Sequence, residues 1–579
     1  MRFIFARKSL IAEHLRTYYT LSDAYIAIIF FMCYNAPMGD FDKILNNCRV
    51  LDVRTGSVYN ADIAIKGGII AAVGENLGEG EDMGNMFALP GFIDAHVHIE
   101  SSQLIPSRFA QAAVPCGTTL VVADPHEIAN VCGMDGVDFM IKDAANTPLE
   151  VKMMMPSCVP ASPAESSGAV LDAAAVKEAL AREDIFGLGE MMNYPGVTGG
   201  DEDVLAKLKA ARDAGKPIDG HFPMGSGLEL AAYAAEGISS DHECNDAKEA
   251  CEKIAAGMDV FIRQGSAGKQ LLDILPAVNK ENISHFSLCT DDCHAADILE
   301  YGHINHIVEQ AVAAGMSATD AVRLATLNPA EHYKLNCGAI EAGRQADIIF
   351  VPDLVHFKPV MVFKRGEMVA VKGRPLFPVA AADCSKVKNT LHMPPVTKEK
   401  LKLKGASLTR AMKIKAGSLV KEAVKYKEGL PKLCVAERHK NTGRVGVCAI
   451  SGYPVRGGAV AISISHDSHN VVCAGDNDKD MCLAMNSLMP VGGGVCAVKD
   501  GKVAHLIPLP VAGLMADCAA EELAEKLTAA EEFCKRELNL SSVTDPVMTL
   551  SFLALTVIPH VSLTDRGLFD CDKFCFIQP

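Results

Sequence analysis

Phe92-Ile93-Asp94-Ala95-His96-Val97-His98 is an apolar run of strand length that ends in two histidines spaced two apart. Seven more runs of that length follow at helix-sized intervals: Thr118–Asp124, Val151–Cys158, Phe186–Met192, Ile218–Phe222, Ile238–Glu243, Met258–Gln264 and Phe286–Asp291. Stretches of helical period stand between them at Leu171–Arg182, Asp203–Ala214, Leu228–Glu236, Asp246–Ala256 and Gly268–Val278, and His303–Ala314 follows the last. Parallel strands need a crossover of a dozen or more residues, and eight such units close on themselves. The pattern predicts an α/β protein built on a (β/α)8 TIM-like barrel at residues 90–336.

On either side of the barrel the rhythm is different. Residues 38–89 carry short alternating runs, with Gly67-Gly68 placed as a two-residue hairpin requires. Strand-like runs return at Ala346–Val351, Val360–Lys364 and Met368–Lys372, so residues 337–385 are expected to complete the same small β domain. Residues 386–579 read as a C-terminal α/β domain, with Lys398–Lys415 a solvated connection, strands at Val460–Ser465, Val495–Lys499 and Lys502–Ile507, and a helix at Ala519–Glu537. Residues 1–37 match none of this and read as an N-terminal extension.

Composition narrows the function classes. The 579 residues carry a net charge of −16, with 49% apolar types and no Trp. That is a globular mix without the basic stripe of a nucleic-acid binder. No apolar run reaches membrane-spanning length, and Tyr25–Cys33 is about half of one, without a clear cleavage site. Twenty cysteines with no CxxC pair fit scattered thiols in a reducing compartment, so the expected location is cytoplasmic. A homo-oligomer, at base rate a dimer, is the expected assembly.

Barrel active sites lie at the carboxyl ends of the strands. Residues two apart on a strand share a face, so His96 and His98 project together. Glu190 stands on strand four, His221 on five, His242 and Glu243 on six, Arg263 on seven and Asp291 with Asp292 on eight. Four imidazoles and two carboxylates on one rim suit a pair of divalent ions, with Glu190 as the bridge. Asp291 is the preferred strand-eight ligand, because it follows directly from the strand, and it is also placed to move a proton. His242 counts among the ligands and the catalytic groups.

For the remaining candidates the bland role stays beside the functional one. Glu243 either shuttles a proton or caps a helix, and Arg263 bonds the substrate or forms an ion pair. His126 and Glu127 end strand two and contact substrate, hold an auxiliary metal or fill a polar loop. His303 and His306 read as structural, and Gly492-Gly493-Gly494, with no Lys-Ser/Thr after it, as a tight turn.

Longer motifs resemble a known family. Pro90 to His98 resembles the opening signature of the amidohydrolase superfamily. His98-Ile99-Glu100-Ser101-Ser102, Ala123 to Asn130, Gly189 to Val197, Ser239 to Glu243, His466-Asp467-Ser468-His469-Asn470 and Leu563 to Leu568 resemble the bacterial-type adenine deaminase family within it. The resemblance implies hydrolysis of adenine to hypoxanthine and ammonia at a binuclear iron or manganese centre, with zinc served by the same donors. It implies His96, His98, Glu190, His221, His242 and Asp291 as ligands. Many superfamily members bridge with a carboxylated Lys, but strand four here has no Lys and Glu190 takes that position. The His466–Asn470 segment is expected at the entrance to the site, with His469 against substrate. Another amidohydrolase acting on a different aminated or cyclic base, or a metal-binding protein without turnover, remain the alternatives.

Overall fold

The computed structural model describes residues 41–415 and 420–578; the expected extension at 1–37 lies outside them. All eight predicted strands form, at Phe92–His98, Thr118–Ala123, Glu150–Met155, Gly187–Met191, Ile218–Gly220, Ser240–Asp241, Asp259–Arg263 and Phe286–Cys289. Their pairings are parallel. The first five lie side by side in one sheet, and the last three in another. The chain after the eighth strand returns to the first, where the short strand Asp291–Asp292 sets Asp291 beside Val97 and Asp292 beside His98. Between the fifth and sixth strands the Ser239 N–H donates to the Ile218 carbonyl at 2.9 Å.

The first strand is buried along its whole length, as a parallel strand covered on both faces must be. Ile93 and Ala95 pack in a small inner cluster with Leu120, Val122, Met154 and Phe261. A register irregularity between Asp94 and Val97 then separates this apolar half from the histidine end.

A nine-stranded sheet joins two distant parts of the chain, with Leu89 paired to Ile349. Lys66 faces Ile69 across Gly67 and Gly68, whose φ of +60° and +76° are the two positive values such a hairpin needs. Further on, an eight-stranded sheet runs from Arg410 to Pro508, and the helix Ala520–Glu537 follows. One expectation is corrected here. Part of the Lys398–Lys415 stretch is not a solvated connection: Arg410–Ile414 is a strand in that sheet, parallel to Val445–Ser451. Its Lys413 is only half-buried while Ala411, Met412 and Ile414 are buried, so lysine content hid a sheet strand. All three glycines at 492–494 have positive φ, in the turn before the strand Gly494–Lys499.

Every described cysteine is a free thiol, most of them buried. No helix among the described residues is long and apolar enough to cross a membrane.

Candidate active site

Glu190 is the centre of the site. It is 3% exposed, and five imidazoles face its two oxygens. Oε2 lies 2.8 Å from His221 Nδ1, 3.0 Å from His242 Nε2 and 3.9 Å from His96 Nε2. Oε1 lies 3.6 Å from His98 Nε2 and 3.4 Å from His126 Nδ1. The Nε2 atoms of His96 and His98 are 3.1 Å apart, and the His96 and His242 rings stack at 4.1 Å. Asp291 closes the group, with Oδ1 3.1 Å from His98 Nε2 and 3.6 Å from His96 Nε2. Asp291 has φ +60°, a left-handed conformation uncommon outside glycine that aspartate adopts more readily than most residues. Asp292 instead accepts a hydrogen bond from Ser101 Oγ.

The strands hold these groups by backbone bonds. His98 Nδ1 is 2.9 Å from the Asp124 carbonyl, which can only accept, so on the neutral ring Nδ1 carries the proton and Nε2 keeps a lone pair free to ligate a cation. Asp124 Oδ2 accepts the Glu190 backbone N–H at 2.9 Å, and a Cβ on neighbouring Gly189 would come within 2.1 Å of that oxygen. Asp94 accepts both the N–H and the hydroxyl of Thr290, tying strand one to strand eight just before Asp291. Burial alone would raise the Glu190 carboxyl, but the His221 and His242 imidazoles hold it well below the ordinary range. Burial likewise opposes Arg263 and the two strand-one histidines at Asp291, and they win, holding it well below its usual value.

A cavity of about 760 Å³ opens over this cluster and is lined by His98, Glu190, His221 and Asp291 among others. Arg263 and Glu243 also line it, but paired with each other. Arg263 Nη2 lies 3.2 Å from Glu243 Oε2, Nη1 contacts Oε1, and Nη1 is 2.8 Å from Asp291 Oδ2. The ion-pair reading of Arg263 therefore describes its contacts. Glu243 does not cap the next helix, Ala247–Ala255, whose cap is Asp246. His126 and Glu127 reach the cavity wall. His469 does not: it is 1% exposed and sits behind Glu127, where the sequence reading placed it against substrate. His303 is buried, with Nδ1 2.8 Å from Thr118 Oγ1, away from the cavity.

Sequence reasoning missed Asp124 and Phe552. Asp124 belongs to the motif after strand two, but its task depends on Glu190, 66 residues later. His466 and Asp467, from the segment expected at the entrance, line the cavity wall, and Phe552 joins them there from still further along the chain. No local pattern announces that.

The amidohydrolase family model matches residues 87–369, which sets the protein in a class of hydrolases that use divalent metals. The model of the adenine deaminase C-terminal domain matches residues 405–575. Adenine deaminase from Clostridium acetobutylicum is 41% identical over 551 residues, 92% of this chain and 97% of that protein. Adenine deaminase 2 of Carboxydothermus hydrogenoformans is 42% identical over 93% of this chain and 96% of its own. Adenine deaminase from Nitratidesulfovibrio vulgaris is 43% identical over 92% and 96%. The chain belongs to the adenine deaminase family.

Proposed function

We propose that the protein hydrolyses adenine to hypoxanthine and ammonia with the help of two divalent cations. The observation that carries this reading is Glu190, one carboxylate enclosed by imidazoles from several strands. The donor set fits such ions. Buried His242 Nε2 and His126 Nδ1 have no hydrogen-bond partner, and nitrogen and carboxylate donors suit manganese, iron or zinc. His96, His98, Glu190, His221, His242 and Asp291 would hold the pair, with manganese or iron preferred. Bound there, the ions would lower the pKa of water and supply hydroxide at neutral pH.

The chain's own groups manage the protons. Water oxygen bonds to C6 and the C6–N bond breaks; one proton of that water leaves with the amine as ammonia, and the other stays on ring N1. Asp291, beside both strand-one histidines, takes the proton from the attacking water and returns it to the leaving nitrogen. Glu243 serves as the second carboxylate, kept ionised by Arg263 against the burial that would raise it. Arg263 and His126 then frame the purine from the cavity wall.

In the same reading the two parallel sheets are arcs of one eight-stranded barrel at residues 90–336, since strand eight returns to strand one and strand five bonds the chain before strand six. The flanking segments 38–89 and 337–385 form one small β domain, and 386–579 the C-terminal α/β domain. A cytoplasmic homodimer is the expected form. To test the activity, purified protein is loaded anaerobically with Mn2+, Fe2+ or Zn2+ and offered adenine, adenosine, cytosine and guanine. Ammonia should come from adenine alone. Release from another base and not adenine, or from none, refutes the reading.

A further inference from the structure

Glu127, in the first turn of the helix His126–Cys132, is gripped from the far end of the chain. His466 Nδ1 meets its Oε1 and His469 Nε2 meets its Oε2, so two imidazoles more than 330 residues away hold one buried carboxylate. The hydrogen bonds define the tautomer at His469. The Ser465 N–H donates to His469 Nδ1 at 3.2 Å, so on the neutral ring the proton sits on Nε2 and points at Glu127.

This grip is itself anchored. Arg438 is fully buried; its Nε donates to the His469 carbonyl, and its Nη2 to the Ala512 carbonyl at 3.0 Å. On the other side the His466 ring stacks on Phe552 at 4.5 Å. Burial would raise the Glu127 carboxyl, but the His466 and His469 imidazoles hold it well below the ordinary range. A carboxylate has about four lone-pair directions, so two bonds leave acceptor capacity on the cavity side. Glu127 lines the cavity together with His98 and Glu190, and adenine presents N–H donors of the kind such an oxygen accepts.

Resting on the deaminase reading, we infer that Glu127 receives an N–H of the purine, and that His466 and His469 are positioning residues through which the C-terminal region sets Glu127 for that bond. A fixed acceptor orients the ring, whereas a carboxylate free to change rotamer does not. The atoms involved make the test specific. A Gln side chain puts a nitrogen where His Nε2 stands, and an Asn puts one where His Nδ1 stands. His469→Gln and His466→Asn therefore keep the donor, while His469→Asn and His466→Gln misplace it.

The measurement is kcat and KM for adenine on manganese-loaded full-length protein, with manganese content and melting temperature recorded for each variant. His469→Ala and His469→Asn are expected to lose roughly 10–100-fold in kcat/KM, mostly through KM, with metal content unchanged. His469→Gln and His466→Asn should recover most of the loss. Unchanged kcat/KM in His469→Ala, or equal losses for matched and misplaced amides, overturns the inference. The amide comparison still decides if the alanine variant does not fold. Wild-type protein that releases no ammonia sinks the deaminase reading instead, and equilibrium binding of adenine to the same variants then judges the Glu127 grip separately.

Discussion

Gly189→Ala is the most exacting perturbation, because it adds a single methyl group to the strand that carries Glu190. That methyl would lie 2.1 Å from Asp124 Oδ2 and 2.5 Å from its Cγ, far inside contact distance. Asp124 is 1% exposed, and its own N–H and carbonyl are engaged by Val97 and His98, so the side chain has little room to retreat. Overpacking of this kind costs about 1–3 kcal/mol. Displacing Asp124 from the Glu190 N–H removes a charged hydrogen bond of about 1.5–3 kcal/mol. Together the loss is roughly 2.5–6 kcal/mol, concentrated at the backbone that aims Glu190.

Gly199→Ala is the control: a Cβ there meets nothing within 4 Å, so the same change should be neutral or stabilise by about 0.5–1 kcal/mol. Urea unfolding of both metal-free variants followed by circular dichroism, and bound manganese after loading, give the answer. If Gly189→Ala unfolds within about 1 kcal/mol of Gly199→Ala, below the overpacking range, and binds as much manganese, the account of how Glu190 is held is wrong.

Other perturbations test separate parts. Glu190→Gln should lower bound metal and turnover together, since it removes the charge that several imidazoles face; full metal content in that variant contradicts the bridging role. Arg263→Met strands Glu243 and Asp291 without their cation and should cost about 3–5 kcal/mol in metal-free protein. The cost should shrink when manganese is bound, because the ions replace the missing charge; equal costs in both states would contradict this. Burial, aided by Asp467, pushes the Glu165 carboxyl from 4.5 up to about 8. Between those values the native protein holds a proton that the unfolded chain has released, so stability falls with rising pH by up to about 1.4 kcal/mol per unit. Glu165→Gln should flatten that slope, and an unchanged pH profile would show that Glu165 is ordinary.

Much of the fold was legible because its signals are local. A buried parallel strand must be apolar along its length, and all eight such runs became strands. Gly67-Gly68 announced its turn because few residues tolerate two positive φ values in succession. The Arg410–Ile414 strand stayed hidden, since its lysine points to a solvated segment and it sits between a lysine-rich neighbour, Lys421–Lys425, and a parallel partner more than thirty residues away. At the site, the histidines and carboxylates could be named, but not their company. His126 came within 3.4 Å of Glu190, and His469 withdrew behind Glu127.

Sequence alone determined the element types and the stock of nitrogen and oxygen donors, because side-chain alternation and residue chemistry are properties of neighbouring positions. Tertiary structure alone decided which aspartate of Asp291-Asp292 turns toward His98, that Asp124 holds the Glu190 backbone, and that a C-terminal segment grips Glu127. Those outcomes depend on distances between strands and loops brought together only when the chain packs, and such distances leave no periodicity to read.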